Sequence, residues 1–247
     1  MSGLSTVLVP AAGGPVIPHY GGASKCIVEN HQFCASWFFD NFSTRFEPRL
    51  WEHLELTAIA IGIGSVLAFS AAILAYKANW FTTPFSLVAA FLYTIPSLAF
   101  FEIMVPITGI NRTSAEIALV SYTLLILFRN ALAGLQGVPA ATKEAAAAMG
   151  LTPRQSLFRV ELPLALPAIM AGLRIATVTI ISLATVAAYI GAGGLGEPIF
   201  DAIQTGFKTE FIAAGVMAIL LAIVVDIMLV GVQRLITPWS RRRVRVT

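Results

Sequence analysis

Residues 211–236 read FIAAGVMAILLAIVVDIMLVGVQRLI, and this stretch decides the class of fold. Asp226 and Arg234 are its only charged residues. A helix of this length extends about 39 Å at 1.5 Å per residue, which exceeds the roughly 30 Å hydrocarbon core of a bilayer. The stretch therefore predicts a membrane-spanning helix.

Four similar stretches precede it, at residues 54–76, 80–107, 115–137 and 164–190. Hydrophobic residues make up 57% of the 247 residues and charged residues 12%, whereas a soluble domain carries about 25% charged residues. This composition excludes a soluble enzyme, a secreted disulfide scaffold and a disordered chain. It predicts an all-α fold, a polytopic membrane bundle of about five transmembrane helices. Residues 1–53 and the basic tail 237–247 flank this domain.

The basic residues predict how the bundle is oriented, because Lys and Arg concentrate in the short loops on the cytoplasmic side. With the C-terminus inside, nine Lys and Arg residues fall in inner segments and five in outer segments. We therefore expect the N-terminus outside and the C-terminus inside. The tail sequence RRRVR follows the last span directly, so we expect it to contact anionic lipid rather than nucleic acid.

The first 53 residues differ in composition from the rest and contain both cysteines, Cys26 and Cys34. On the oxidising side of a membrane these two predict a disulfide. A metal site that adds His31 fits no standard zinc spacing, so no metal site is predicted. Aromatic residues between Trp37 and Phe46 recur every three to four positions. They indicate a helix in the membrane interface or aromatic anchors before the first span.

Residues 143–163, KEAAAAMGLTPRQSLFRVELP, connect the third and fourth spans. The alanines favour a helix that Gly150 ends in a left-handed conformation. Thr152, Pro153 and Gln155 then fit an N-cap, a first-turn proline and a capping-box partner. Further along, Pro163 and the proline at position 167 predict a bend or stop where the second helix meets the membrane. The sequence thus predicts two helices joined by a tight turn, here called the elbow (residues 143–163).

The elbow resembles the EAA loop of permease subunits from bacterial ATP-binding-cassette importers. The resemblance rests on Glu144-Ala145-Ala146, on Gly150, and on Val160-x-Leu162-Pro163 after a spacing of nine residues. It implies that the elbow docks on a separate ATPase subunit in a bacterial plasma (inner) membrane. The residues that it assigns to ATPase coupling are Glu144, Ala145, Ala146, Gly150, Leu151, Leu162 and Pro163.

The same resemblance implies the partners. Two ATPase subunits bind ATP and Mg²⁺, so no cofactor is expected on this chain. A second permease, identical or related, completes the pathway, and an extracytoplasmic binding protein delivers the solute. The chain is expected to act through its conformation and not as an enzyme, since no HExxH, GxSxG or paired aspartate occurs in the spans.

Three further stretches are similar to osmoprotectant permeases, which transport glycine betaine, choline or carnitine. They are residues 92–99 (LYTIPSLA), Arg129-Asn130, and residues 190–196 (IGAGGLG). The alternatives are a permease for methionine or another amino acid and, with less support, a passive osmotic channel, which would not need the elbow.

Residues 191–196 also match GxGxxG, the fingerprint of dinucleotide-binding folds. That fingerprint requires a preceding strand in a soluble βαβ unit, whereas here a membrane span precedes it. The glycines therefore predict a tight turn at the outer end of the fourth span, followed by a surface or re-entrant segment.

Charged residues within spans are costly and so are candidates for function. Asp226 has two possible partners at similar depth, Arg129 and Arg174, and the pair either locks the bundle or lines the pathway. Glu102 lies near the outer end of the second span, where it attracts a cation or extends to the interface. In the same span Pro96 predicts a kink, and Tyr93 offers an aromatic face to a quaternary ammonium.

Overall fold

The computed structural model describes residues 25–30 and 33–239. His31 and the arginines of the tail lie outside these described residues. Within them the chain is helical, without strands. The helices are α1 (Lys25–Glu29), α2 (Ala35–Asn41), α3 (Glu47–Lys77), α4 (Asn79–Thr94), α5 (Ser97–Thr108), α6 (Arg112–Gln136), α7 (Ala140–Ala148), α8 (Pro153–Ser156), α9 (Leu162–Ala187), α10 (Gly196–Thr205) and α11 (Lys208–Ile236), with π-helical turns at Phe42–Phe46 and Leu157–Glu161 and a 3₁₀ turn at Ala188–Ile190.

In the described part of the chain, four helical stretches are long and apolar enough to cross a membrane, and the bent pair α4–α5 makes a fifth span if counted as one. The elbow lies at one end of the bundle, here called the elbow end. The opposite end carries the glycine turn at residues 191–196 and is called the glycine end. The all-α bundle of about five spans is thus confirmed.

The second span differs from the single kinked helix that the sequence predicted over residues 80–107. Helices α4 and α5 meet at 99°, so the chain turns sharply at Ile95 and Pro96. Pro96 has no N–H to continue the helix, and Ile95 before it adopts an extended conformation with ψ 128°. The carbonyl of Ile95, freed by the break, accepts a hydrogen bond from Tyr122 Oη at 2.5 Å.

The elbow also connects to the membrane differently from the prediction. Pro163 and Pro167 neither stop nor separate the second elbow helix, since α8, the π-helical turn and α9 form one stretch from Pro153 to Ile190. Pro163 directly follows the π-helical turn, in which Leu162 N donates to Leu157 O, so the helix continues past the proline with a local widening instead of a break. The second elbow helix is therefore a direct extension of a membrane span.

Helix α6 packs between α3 and α9, and small residues set the distances. A Cβ atom on Gly64 of α3 would lie 1.9 Å from Thr123 Oγ1 of α6. A Cβ on Gly172 of α9 would lie 2.4 Å from the Cβ of Asn130, also on α6. Two apolar clusters fill the space between the three helices, one around Leu119 and one around Phe128. Close backbone approach of this kind holds helices together in lipid, where apolar burial alone does not.

The aromatic segment before α3 is helical and continues directly into α3. Residues from Ala35 to Lys77 make one helical stretch of 43 residues. Trp37 is buried against Phe207, with ring centroids 4.7 Å apart, whereas Phe39 is 73% exposed. Arg45 Nη1 lies 2.8 Å from Glu210 Oε1 at the start of α11.

Cys26 and Cys34 are joined in a disulfide, with Cα atoms 5.9 Å apart. The small loop that they close attaches to the turn between α10 and α11. The Asn30 side chain donates to Gly206 O at 2.8 Å and accepts from Lys208 N at 3.0 Å, while Cys34 N donates to Thr209 Oγ1 at 3.1 Å. The N-terminal segment thereby caps the first turn of α11.

The substitution Gly172→Ala tests the packing of α9 on α6. The new Cβ would overlap Asn130, and overpacking of this kind costs about 1–3 kcal/mol. We expect a lower melting temperature for the detergent-purified protein. Gly62→Ala in α3 is the matched control, because its Cβ meets nothing within 4 Å and alanine favours the helix. Equal melting temperatures for the two variants would contradict the packing.

Candidate functional site

The elbow begins with α7 and turns at Gly150, which has φ +80°. Leu151 N donates to Ala146 O at 3.2 Å and Gly150 N donates to Ala147 O at 2.9 Å. These two hydrogen bonds make a Schellman motif, which satisfies the last carbonyls of α7. The left-handed glycine is therefore as the sequence predicted.

Helix α8 starts with the predicted capping box, which the structure confirms. Gln155 N donates to Thr152 Oγ1 at 3.3 Å, and Thr152 N donates to Gln155 Oε1 at 2.9 Å. Pro153 occupies the first turn, where its missing N–H is not needed. The backbone groups at the end of α7 and at the start of α8 thus find their hydrogen-bond partners within the elbow, so its tip keeps a defined shape.

The candidate coupling residues divide into an outer and an inner set. Glu144, Ala145 and Gly150 are exposed on the outer face, beside Met149, whose side chain is 72% exposed. Ala146 is buried, and three further candidates are half-buried, namely Leu151, Leu162 and Pro163. The outer face therefore presents small and apolar side chains to anything that approaches the elbow.

A buried carboxylate at the base of the elbow was missed in the sequence. Glu161 is 6% exposed and accepts hydrogen bonds from Tyr76 Oη and from Ser156 Oγ, the latter at 2.8 Å. Lys143 Nζ lies 5.1 Å from the centre of the Tyr76 ring. The sequence does indicate this residue, because Glu161 is the one acidic residue in the otherwise apolar stretch VELPLAL at positions 160–166, and a charge in such surroundings needs a hydrogen-bond partner.

A cleft of about 300 Å³ opens beside these groups. Tyr76 and Lys77 at the end of α3 line one side, and Lys143, Leu151 and Glu161 of the elbow line the other. Polar contacts across the cleft thus connect the elbow to α3.

The structure pairs Asp226 with Arg174 and not with Arg129. Arg174 Nε donates to Asp226 Oδ1 and Nη2 donates to Oδ2, both at 2.8 Å, so the contact is bidentate and joins α9 to α11. The two side chains are 33% and 30% exposed. Arg129 and Glu102 are exposed on α6 and α5, and neither makes an ion pair within residues 25–30 and 33–239.

The other two candidates of the second span lie on either side of its break. Tyr93, near the end of α4, is 39% exposed and packs edge-on against Tyr122, with ring centroids 6.0 Å apart. Pro96 caps the start of α5. The bend therefore places one aromatic face where a solute or a neighbouring chain can reach it.

A polar cluster fastens the glycine end. Gly194 N donates to Glu52 Oε2 at 2.9 Å, and Leu195 N donates to His53 Nδ1 at 3.3 Å. Because Nδ1 accepts, the fully buried His53 carries its proton on Nε2 and donates it to Ile181 O at 3.0 Å. These contacts tie the turn to the first half of α3.

Arg49 extends this cluster to α10. Its guanidinium contacts Glu52 at 2.8 Å and Glu197 at 2.5 Å. Burial raises the pKa of the Glu197 carboxyl, and the adjacent Arg49 opposes that rise. Gly193 and Gly194 have φ +80° and +77°, so the glycines form the predicted turn.

Comparison with known proteins identifies the family. The profile of the family described as "Binding-protein-dependent transport system inner membrane component" matches residues 60–242. The chain belongs to this family. It is thus an inner-membrane permease of a bacterial ABC importer, as the resemblance of the elbow implied.

Curated relatives cover most of the chain. It is 33% identical over 198 residues to the choline transport system permease protein OpuBB of Bacillus subtilis (strain 168). The aligned region covers 80% of this chain and 91% of that relative. It is 37% identical over 193 residues to the osmoprotectant import permease protein OsmW of Salmonella typhimurium, with coverages of 76% and 90%. Identity to the carnitine transport permease protein OpuCB of Listeria monocytogenes is 34% over 209 residues, with coverages of 84% and 95%.

Solved structures show the same fold. The inward-facing MetNI methionine ABC transporter superposes with a TM-score of 0.70 at 24% identity, covering 77% of this chain and 95% of that chain. The crystal structure of an amino acid ABC transporter with histidines superposes with a TM-score of 0.68 at 18% identity, covering 82% of this chain and 99% of that chain. The permease therefore has the type I ABC importer fold.

Charge reversal tests whether the ion pair locks α9 to α11. Asp226→Arg places two cations together within the membrane-spanning segments, where an unpaired charge costs about 2.5–3.5 kcal/mol. We expect a low yield of monodisperse protein by size-exclusion chromatography, restored by the added change Arg174→Asp. The matched control combines Asp226→Arg with Arg129→Asp and should not restore the yield. Rescue by the control alone would disprove the pairing.

Proposed function

We propose that this permease imports quaternary-amine osmoprotectants such as glycine betaine, choline and carnitine. The observation that carries the proposal is the set of relatives named for choline, osmoprotectant and carnitine transport, at 33%, 37% and 34% identity over most of the chain. The likeness to the methionine transporter, at 24% identity, supports the fold and leaves the solute open.

In this proposal the elbow docks on an ATPase subunit that binds ATP and Mg²⁺. Support comes from the exposed outer face, where Ala145, Gly150 and Met149 allow close approach and Glu144 supplies one charge. The Schellman turn and the capping box fix the shape of this face before docking, which lowers the entropy lost on binding. Helix α8 continues into α9, so movement of the docked elbow acts on a membrane span directly.

The proposed assembly has the elbow end in the cytoplasm and the glycine end toward the binding protein. Two permeases, identical or related, enclose the pathway, and each engages one of two ATPases. Arg129 and Glu102 support this arrangement, because exposed charges within spans are stable facing a partner or a water-filled pathway rather than lipid. We place Tyr93 and Glu102 on the side of the solute, since an aromatic face and a carboxylate both attract a quaternary ammonium.

Uptake in a strain that lacks the permease tests the solute. We expect the reintroduced importer to accumulate labelled glycine betaine, choline or carnitine, with at least one of them at about tenfold or more above the empty strain. Labelled methionine is measured in parallel as the comparison. Restoration of methionine uptake alone would disprove the osmoprotectant assignment.

The substitution Gly150→Val tests docking of the elbow. A β-branched residue in the left-handed region costs about 1–2 kcal/mol or more, so the tip changes shape. We expect about tenfold less ATPase to co-purify with the membrane-inserted permease. Gly206→Val is the matched control, since Gly206 also has positive φ and open surroundings but lies at the glycine end. If both variants co-purify the same amount of ATPase, docking through the elbow is contradicted. The proposed orientation, with the elbow end in the cytoplasm where the ATPase lies, is then contradicted as well.

A further inference from the structure

The buried carboxylate of Glu161 has a position that the docking surface does not explain. It lies in the π-helical turn Leu157–Glu161, between the exposed elbow and the membrane span α9. A carboxylate that is 6% exposed is stable only when its oxygens are satisfied. Both are, because Tyr76 Oη donates to Oε2 and Ser156 Oγ donates to Oε1.

The two donors come from different parts of the bundle. Ser156 ends α8, whereas Tyr76 lies in the last turn of α3, 85 residues away in sequence from Glu161. The Tyr76 ring in turn contacts the ammonium of Lys143, which belongs to α7 and precedes Glu144 directly. The three side chains Tyr76, Lys143 and Glu161, here called the elbow node, therefore connect both elbow helices to α3.

Little else fixes α7 against α3. Ala146 is the one buried residue of α7, and the cleft of about 300 Å³ lies between the elbow and the end of α3. The second elbow helix is also held by packing, because Leu157 lies in the same buried apolar cluster as Ala75 of α3, whereas α7 reaches α3 through the contact of Lys143 with the Tyr76 ring. The hydrogen bond from Tyr76 to the Glu161 carboxylate adds to that packing, and hydrogen bonds to a charged group are stronger than those between neutral groups.

Helix α3 extends this connection to the glycine end. Glu52 and His53 hold Gly194 and Leu195 there, and Tyr76 lies 24 positions after Glu52, about 36 Å along the helix. One helix thus carries a polar attachment at each end. It is also packed on α6 along its length, for example where Gly64 meets Thr123.

We propose that Glu161 and Tyr76 are positioning residues that transmit the movement of the elbow to α3, and through α3 to the glycine turn. This inference depends on the proposed docking of the elbow on an ATPase. Without the node the elbow still docks, but α3 no longer follows it. The expected defect is thus a loss of transport per ATP hydrolysed, with ATPase binding retained.

Tyr76→Phe is the main test, because it removes one hydroxyl and keeps the ring beneath Lys143. The complete importer is reconstituted in liposomes with its binding protein, and labelled glycine betaine uptake is measured beside ATP hydrolysis. We expect about fivefold or more less solute per ATP, since the hydrogen bond removed has a charged acceptor. Co-purification of the ATPase should stay within about twofold of the parent. The matched control is Thr177→Val, which removes the hydroxyl of a buried residue bonded to Leu173 O of its own helix α9 and should leave the ratio unchanged.

The double variant with Glu161→Gln tests whether Tyr76 and Glu161 act together, and the melting temperatures of the same proteins show whether stability is lost. If Tyr76 and Glu161 act as a unit, the double variant is no worse than the poorer single variant, whereas independent losses multiply. A Tyr76→Phe importer with the parental transport-to-ATP ratio would overturn the inference. So would equal loss in Thr177→Val. Failure of the docking itself is recognised separately, as equal ATPase capture by Gly150→Val and Gly206→Val.

Discussion

The close approach of α3 and α9 to α6 is the constraint on which the rest of the structure depends. Lipid removes most of the hydrophobic driving force between helices, so packing and hydrogen bonds between them must hold the bundle. Gly64 and Gly172 permit that packing because a Cβ at either position would overlap a neighbour on α6. With these three helices fixed, the first and fourth spans lie at defined positions beside the third. The elbow and the glycine turn, which are attached to their ends, are placed in consequence.

Polar contacts are concentrated where this packing ends. At the glycine end, Glu52 and His53 satisfy two backbone N–H groups of the turn. At the elbow end, Glu161 also accepts two hydrogen bonds, here from the side-chain hydroxyls of Tyr76 and Ser156. Between them the Arg174–Asp226 pair joins α9 to α11. Each contact fixes the position of an element relative to its neighbour, which apolar packing alone does not do. A few charged residues are therefore enough to position these elements in a chain that is 57% hydrophobic.

Much of the elbow could be predicted because its physics is local. The left-handed Gly150, the cap at Thr152 and the first-turn Pro153 depend on residues within four positions of one another. The same is true of the spans, whose length and apolar content identify them. The 99° turn at Pro96 was underestimated as a kink, since the size of a bend depends on which group donates a hydrogen bond to the freed carbonyl, here Tyr122 Oη. The continuity of α8 with α9 was missed because a π-helical turn directly before Pro163 lets the helix continue past the proline, and the sequence alone did not indicate that turn.

By itself, the sequence determined the class of fold, the number of spans and the two-helix elbow, all of which depend on composition and short-range backbone preferences. The tertiary structure alone decided which partners meet across the bundle. It selected Arg174 over Arg129 for Asp226, and it brought Tyr76 to Glu161 and Glu52 to Gly194. These pairs join residues far apart in the chain, and their distances depend on how α3, α6, α9 and α11 pack. Side-chain chemistry makes such contacts favourable, but packing geometry decides which of them form.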